Sequence, residues 1–421
     1  MKITKFPNEF VNAIPVLKTI EKAGFEAYFV GGCVRDTLLG IPLHDVDITS
    51  SAYPAEIKEI FNRTVDTGIE HGTVMVLDHG EGYEVTTFRT ESTYQDFRRP
   101  DHVTFVRSLD EDLKRRDLTI NALAMDADGN VVDLFHGLDD LKNKIIRAVG
   151  NPHERYHEDA LRMMRSIRFM SQLDFNLESE TEKAIEDNAH LLEKIAIERI
   201  HVEWIKTLLG QRPQLGVQKF ISTGLYQYCP DFANFKDGLT AMSKLDQLHL
   251  DSEIECWILM GHMFGLKPQK TAKLMRDWKS SNDLINQVEL AQTALESQAG
   301  LNDPHVLFET GKELTLAANH ILSLLNQSTV TDEEIKTAYE KLPIKSSADI
   351  AVDGSALIKE LGMKPGPQFG KALTAIKDQI LDGKLANDHD QLLASLNKVF
   401  SPYVFVKCST LKVCIQLTLS T

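Results

Sequence analysis

Cysteine is scarce in this 421-residue chain, and its few copies form no pattern. The five, at 33, 229, 256, 408 and 414, are odd in number and scattered, which argues against a disulfide framework and for reduced thiols. Cys33, Cys229 and Cys256 read as small core residues, and Cys408 and Cys414 lack a partner at zinc-type spacing. Long apolar runs are missing too. No stretch reaches the roughly 18 residues of a membrane-spanning helix, and the first residues, MKITKFPNEF, lack the apolar core of a signal peptide. A cytoplasmic protein without a membrane partner is expected. Positive charge is also short: 46 Lys and Arg against 61 Asp and Glu give a net charge of −15. That argues against broad nucleic-acid affinity but leaves a local basic groove open. Between Lys144 and Arg168, six Lys/Arg face three Asp/Glu.

What is present is ordinary for a soluble globular protein: 43% hydrophobic and 25% charged residues, with length for roughly two to four domains. Residues 10–24 show helical spacing and stop at Gly24. A short strand from Phe25 to Val30 leads to Gly31-Gly32, a helix over 34–39, and a strand over 45–49. The runs TVMVL (73–77) and YEVTTF (83–88), joined through HGEG, read as a hairpin. Residues 90–102 carry no periodicity and read as a mobile loop. Residues 109–121 read as a helix running into Ala122-Leu123-Ala124, followed by a short strand at 131–134. A small mixed sheet with helices over 1–150 is therefore expected. Beyond it, strand signals nearly vanish. Helices are expected at 155–173, 178–194, 197–209, 215–223, 236–247, 253–262, 271–278, 282–297, 303–311, 314–326, 332–341, 353–361, 367–381 and 388–399. The last stretch, SPYVFVKCSTLKVCIQLTLST, is strand-like and has no assigned role.

Four constellations carry chemistry. Strand, Gly-Gly and helix start form a backbone-amide anion site, or only a tight turn; Arg35 beside it could reach phosphate, or simply pair with Asp36. Asp45 and Asp47, two apart on a strand, would lie on one face roughly 6–7 Å apart. They would need a cation such as magnesium, although a solvated strand end is the plainer reading. Glu84, on a neighbouring strand, could add a third carboxylate or just face solvent. The third is Arg115-Arg116-Asp117 with Asn121, in which 117 and 121 share a helical face and Arg116 could reach a triphosphate. A solvated charge run is the alternative.

The fourth is EDALRMMRSIRF at 158–169. Leu161, Met164 and Ile167 make an apolar stripe, while Asp159, Arg162, Arg165 and Arg168 recur every three residues. An ion-paired helix surface has this pattern. A base-reading pair has it too: Asp159 beside Arg162 offers an acceptor next to a donor. Cytosine (N4, N3) and adenine (N6, N1) match it, whereas uracil and guanine offer the reverse. A site built for one pattern leaves buried groups unpaired with the other. Arg165 and Arg168 would suit phosphate or helix-anchoring roles.

Taken together, GGCVRDTLLG…HDVDI, YEVTTFRTESTYQDFRRPDHVTFVRSLDEDLKRRDLTINALA and ERYHEDALRMMRSIRF span 31–169 almost without a gap. They closely resemble the bacterial CCA-adding enzymes, class II tRNA nucleotidyltransferases of the polymerase-β-like superfamily. A weaker likeness continues through LPIKSSADIAVDGSALI (342–358). The resemblance implies an α+β protein with a small mixed-sheet nucleotidyltransferase head (1–150). An all-α neck (151–230), body (231–330) and tRNA-binding tail (331–400) would follow, with 401–421 unassigned. It implies addition of C, C and A to the tRNA 3′ end from CTP and ATP without a nucleic-acid template. By motif, Asp45 and Asp47 would be catalytic and hold Mg²⁺. Gly32, Arg35 and Arg116 would contact the triphosphate or sugar. Asp159 and Arg162 would read the base, with Arg165 and Arg168 also lining the nucleotide pocket. The 90–102 loop matches the loop that aids the switch from C to A.

An A-adding enzyme or a bacterial poly(A) polymerase would share the head and neck motifs. The latter usually carries a basic C-terminal region, which this acidic chain lacks. A CC-only enzyme would have a shortened loop. A fused phosphohydrolase domain is not expected, because His44-Asp45 and His389-Asp390 lack surrounding helical metal ligands. A non-catalytic tRNA-binding relative would have lost a metal carboxylate. A small-molecule nucleotidyltransferase would not need the 158–169 helix. A homodimer is left open.

Overall fold

The computed structural model describes residues 1–400 except 44, 92–93, 96–98 and 101–102. The strand-like end at 401–421, with Cys408 and Cys414, lies outside the described residues, as do His44 and part of the 90–102 loop. Two units divide the chain, Met1–Gln292 with Leu324–Asn326, and Thr293–Ser323 with the chain from Gln327 onward.

The first unit begins with α1 (Asn8–Lys22), β1 (Ala27–Val30), α2 (Gly32–Leu39), β2 (Asp47–Ser50), α3 (Pro54–Ile60), β3 (Thr64–Gly68), β4 (Thr73–Asp78) and β5 (Glu81–Thr87). Four short strands follow, β6 (Arg89–Glu91), β7 (Tyr94–Gln95), β8 (Arg99–Pro100) and β9 (Val103–Phe105). The segment read as an irregular loop thus carries two antiparallel ladders, β6–β9 and β7–β8. Next come α4 (Leu109–Lys114), β10 (Leu123–Met125), β11 (Val131–Asp133), α5 (Gly137–Asn143), β12 (Ile145–Ile146), α6 (Pro152–Glu158), α7 (Leu161–Leu173), β13 (Asn176–Leu177), α8 (Ser179–Asn188) and α9 (Ile197–Leu208). The main sheet has seven strands in the order β11-β10-β1-β2-β5-β4-β3, mixed because β2 and β5 run parallel. The fold class is α+β, as expected, and strand β3 at its edge was not foreseen.

One apolar core joins the sheet to helices on either side of it in sequence. Phe10, Leu17 and Ile20 of α1, Phe29 and Ile48 of the sheet, and Phe169, Met170 and Leu173 of α7 belong to it. The α7 residues that enter this core are Phe169, Met170 and Leu173, while the stripe Leu161, Met164 and Ile167 is nearly or wholly inaccessible. The rest of the unit is helical, with Trp204, Phe220, Phe232, Trp257 and Trp278 in edge-on and tilted ring contacts. The second unit has a separate apolar core that includes Leu307, Ile335, Leu357, Ile376 and Leu392. Cys33, Cys229 and Cys256 are buried free thiols, in accord with the sequence. Among the described residues no helix is long and apolar enough to cross a membrane.

Three expected elements differ. The helix over 109–121 stops at Lys114, because the chain at 117–118 pairs elsewhere. Leu118 bridges Ala148, and the Val149 N–H donates to the Asp117 carbonyl at 3.1 Å. A 3₁₀ turn over Thr119–Asn121 then leads into β10, a strand where helix was expected. The strand over 45–49 begins only at Asp47, so Asp45 precedes the ladder and period-two alternation does not govern it. The helix over 155–173 is two helices. Asp159 sits between them in extended backbone (φ −136°, ψ 105°), and its side chain accepts the Leu161 N–H at 3.0 Å. A short side chain bonding to nearby backbone competes with helix continuation.

Candidate nucleotide site

Asp45 and Asp47 nevertheless line one cleft, of about 520 Å³, together with Glu84, Glu81, Tyr83 and Met75. The parallel register pairs Asp47 with Glu84, so their side chains leave the sheet on the same face. Glu84 thus joins the two aspartates, as one of the two sequence readings held. Among the described residues, neither Asp45 nor Glu84 has a side-chain hydrogen bond or ion pair. Loss of hydration pushes the Asp47 carboxyl above its ordinary value; Arg116 pulls it down and Asp45 pushes it further up. Three carboxylates with one nearby guanidinium make a site under-neutralised by its own protein.

The Gly31-Gly32 turn leads into α2 as expected, with one shift. The left-handed residue is Gly31 (φ +76°), and a Cβ there would meet Arg116 Nη1 at 2.9 Å. Any side chain at 31 would be strained in backbone and would displace Arg116. Gly32 is the first residue of α2, with more room: its Cβ would lie 3.7 Å from Arg35. Arg116 is held from below by Asp112, at 3.3 Å, and Asp112 also pairs with Arg115 at 2.8 Å. Asp112 is wholly buried; burial alone would raise its carboxyl, but Arg115 and Arg116 hold it below the ordinary value.

The arginines of α7 are not a solvated surface. Arg162 and Arg168 are each only 8% exposed. Arg162 donates to Glu158 at 2.8 Å and to the Arg115 carbonyl at 2.9 Å, and Arg155 donates to the Lys114 carbonyl at 3.1 Å. Both carbonyls are at the end of α4, where helix oxygens lack internal partners and favour cations. Arg165 donates to Asp117 at 2.7 Å, Asn121 donates to the same carboxylate at 3.1 Å, and Arg35 donates to Asn121. Burial opposes the charge on Asp117, yet Arg165, the Asn121 amide and Arg162 hold its carboxyl far below the usual range. Arg168 pairs with Glu203 at 2.8 Å. The Phe169 ring lies under three guanidiniums: Arg168 at 4.0 Å, Arg35 at 4.8 Å and Arg165 at 5.5 Å. Head and α7 are thus stitched by charge as well as by core.

Of the residues singled out in the sequence, Asp45, Asp47 and Glu84 line the cleft, Gly32, Arg35 and Arg116 gather at the turn, Arg115, Asp117 and Asn121 join the turn to α7, and Asp159, Arg162, Arg165 and Arg168 lie on the helix side. Asp159 does not pair with Arg162. It pairs with Arg199 of α9, at 2.8 Å. Arg199, Glu203 and Asp112 escaped the sequence reading. An available signal was spacing: Arg199 and Glu203 lie four apart on one helical face, and Asp112 precedes Arg115 and Arg116 by three and four.

The comparisons with known proteins agree along most of the chain. A Poly A polymerase head domain model matches residues 27–147. A probable RNA- and SrmB-binding site of polymerase A matches 174–236, and a putative tRNA nucleotidyltransferase domain 2 matches 248–396. The chain is 55% identical to a CCA-adding enzyme of Ligilactobacillus salivarius over 96% of this chain and 100% of the relative. It is 54% identical to one of Limosilactobacillus reuteri over 95% of this chain and 99% of the relative. Among solved structures, a Bacillus stearothermophilus CCA-adding enzyme in complex with CTP superposes with a TM-score of 0.85 at 36% identity. That match covers 94% of this chain and 98% of that one.

Proposed function

The chain belongs to the family of CCA-adding enzymes, and from that premise we propose that it builds and repairs the 3′-terminal CCA of tRNA from CTP and ATP with no nucleic-acid template. The observation that carries the reading is the pairing of an acidic cleft with an arginine-bearing helix locked to the same head. The acidic residues Asp45, Asp47 and Glu84 face one space, and the Asp117–Arg165 bond ties α7 to the segment that carries Arg116. In the reaction the tRNA 3′-hydroxyl oxygen attacks the α-phosphorus of the nucleotide, the bond to the β-phosphate oxygen breaks, and pyrophosphate leaves. Gly32 through its backbone, Arg35, Arg116, Arg165 and Arg168 bind and orient phosphate or sugar. Asp159 accepts from the exocyclic amine of cytosine or adenine, while Arg162 donates to the adjacent ring nitrogen. Uracil and guanine would leave both groups facing like groups.

The residues fit magnesium. Hard carboxylate oxygens suit it, and the raised Asp47 carboxyl beside Asp45 gives the cleft an energetic reason to take a cation. Asp45 and Asp47 would hold the ion, with Glu84 beside them; when bound, it supplies charge neutralisation and a more acidic 3′-hydroxyl. We retain head (1–150), neck (151–230), body (231–330) and tail (331–400) as the working division, and place the protein in the cytoplasm. The test uses tRNA transcripts ending before C74, after one C and after two Cs, each given CTP, ATP, UTP or GTP alone or CTP with ATP. Expected is CMP addition to the first two, AMP addition to the third, and full CCA with both nucleotides. AMP addition only after CC would reduce the protein to an A-adding enzyme; long A tails on unstructured RNA would make it a poly(A) polymerase.

A further inference from the structure

We propose that Arg199 sets nucleotide specificity as a positioning residue, clamping the Asp159 carboxylate in the orientation that reads the base; the inference rests on the base-reading role given above to Asp159. Asp159 stands in a two-residue gap between α6 and α7, so no helix fixes its side chain. Three donors do. The Leu161 N–H reaches Oδ1 at 3.0 Å, and the Arg199 fork reaches Oδ2 at 2.8 Å and Oδ1 at 3.4 Å. A carboxylate has about four lone-pair positions. The clamp therefore leaves room on Oδ2 for one more donor, which is what an exocyclic amine brings. Both partners keep some exposure, 16% for the Asp159 side chain and 28% for that of Arg199, so the carboxylate is held without being sealed off.

The clamp also decides what Arg162 does. Arg162 lies three residues after Asp159, and its backbone N–H donates to the Asp159 carbonyl at 3.0 Å. With Arg199 in place, Arg162 is held by Glu158 and the Arg115 carbonyl. The Asp159 carboxylate is thus met by Arg199, and the Arg162 guanidinium by its own partners. Without Arg199, one backbone N–H would remain to orient Asp159, and Arg162 could fold onto it. The template would then close on itself. An ion pair this accessible contributes little to stability, so its effect belongs in selectivity.

The experiment measures kcat/KM for CTP and for UTP on tRNA lacking CCA, with the full-length protein, for wild type, Arg199→Met, Arg199→Lys, Asp159→Ala and the double variant. Melting temperatures are recorded alongside. Arg199→Met is expected to lower the CTP-over-UTP preference by about tenfold or more, through KM rather than kcat, with an unchanged melting temperature. Arg199→Lys should restore part of the preference, since an ammonium keeps the charge but not the fork. Adding Arg199→Met to Asp159→Ala should change the preference no further, because one residue acts through the other. A wild-type CTP-over-UTP ratio in Arg199→Met, or multiplicative losses in the double variant, would overturn the inference while leaving the function intact. If Arg199→Met does not fold, the same two outcomes are read from Arg199→Lys. Full discrimination in Asp159→Ala would overturn the base-reading role itself, and Arg199 with it.

Discussion

The cleft around Asp45, Asp47 and Glu84 and the arginine helix α7 solve opposite electrostatic problems. In the cleft, carboxylates gather with Arg116 as the nearby cation, and the Asp47 carboxyl is pushed up by loss of hydration first and by Asp45 second. On α7, each arginine has an oxygen partner: Arg162 on Glu158, Arg165 on Asp117 and Arg168 on Glu203. One region is short of positive charge until a ligand supplies it; the other is balanced before any ligand arrives. The difference assigns the work. A site that must change charge during a reaction is left incomplete by the protein, whereas a site that must compare two bases has its geometry set in advance.

The widest break between them should appear when a cleft carboxylate is removed. Asp45→Ala is expected to lower both C and A addition by about a thousandfold or more, the upper range for loss of a preorganised electrostatic element. The melting temperature should stay at or above that of the wild type, since one of several crowded negative charges is gone. Single-turnover addition to tRNA ending in no C, one C and two Cs checks it. A loss confined to one of the three steps would remove Asp45 from the common chemistry.

The two regions were not equally legible. Helices such as Ile197–Leu208 and Pro367–Leu381 follow residue periodicity, and the sequence placed both within two residues. The cleft residues were legible by type, but not by cause. Asp45 reaches the cleft from outside the ladder, and Glu84 joins Asp47 through a parallel register that no local pattern encodes. The helix–strand error at 109–124 has the same origin, because Leu118 answers to Ala148, thirty residues on. At Asp159 the failure was local. Apolar spacing continues across 158–161 as if one helix ran through, and only the side-chain bond to Leu161 breaks it. The ion-pair partner of Asp159, Arg199, is 40 residues away and could not be read from that local spacing.

On the balanced side, removing one partner should cost stability instead of charge chemistry. Asp117→Asn leaves Arg165 facing an amide and is expected to destabilise by about 1 kcal/mol, because the Arg165 side chain is a third exposed and Glu203 stays within 3.7 Å of it. Urea unfolding at neutral pH measures it. The pH dependence separates the regions further. The Asp117 carboxyl is depressed below its ordinary 3.8, so its stabilisation is present above that value and is lost as pH falls toward the folded-state value. Asp47 is raised above 3.8, so its favourable contribution exists below that value and is lost as pH rises through the folded-state one. Asp117→Asn should therefore flatten the acid limb of the stability curve, and Asp47→Asn should lift the neutral plateau. Parallel curves for the two variants would mean that the regions do not differ in charge balance.

The smallest expected effect tests where the cleft ends. Glu84 shares a register with Asp47 and lines the same space, but it lies on the next strand and its side chain has no hydrogen bond among the described residues. If it helps to hold the cation, Glu84→Gln should raise the magnesium concentration for half-maximal activity by about tenfold, the lower bound for losing a supporting metal contact. Activity at saturating magnesium should recover most of its wild-type value. The glutamine keeps size and strand position, so packing is unchanged and charge alone is varied. An unchanged magnesium midpoint would return Glu84 to the solvent-facing reading that its strand position also allows, and would leave the cleft a two-carboxylate site. A loss that magnesium cannot restore would instead give Glu84 a role toward the substrate. The contrast with α7 would then be narrower, because both regions would be touching the nucleotide or the tRNA end directly.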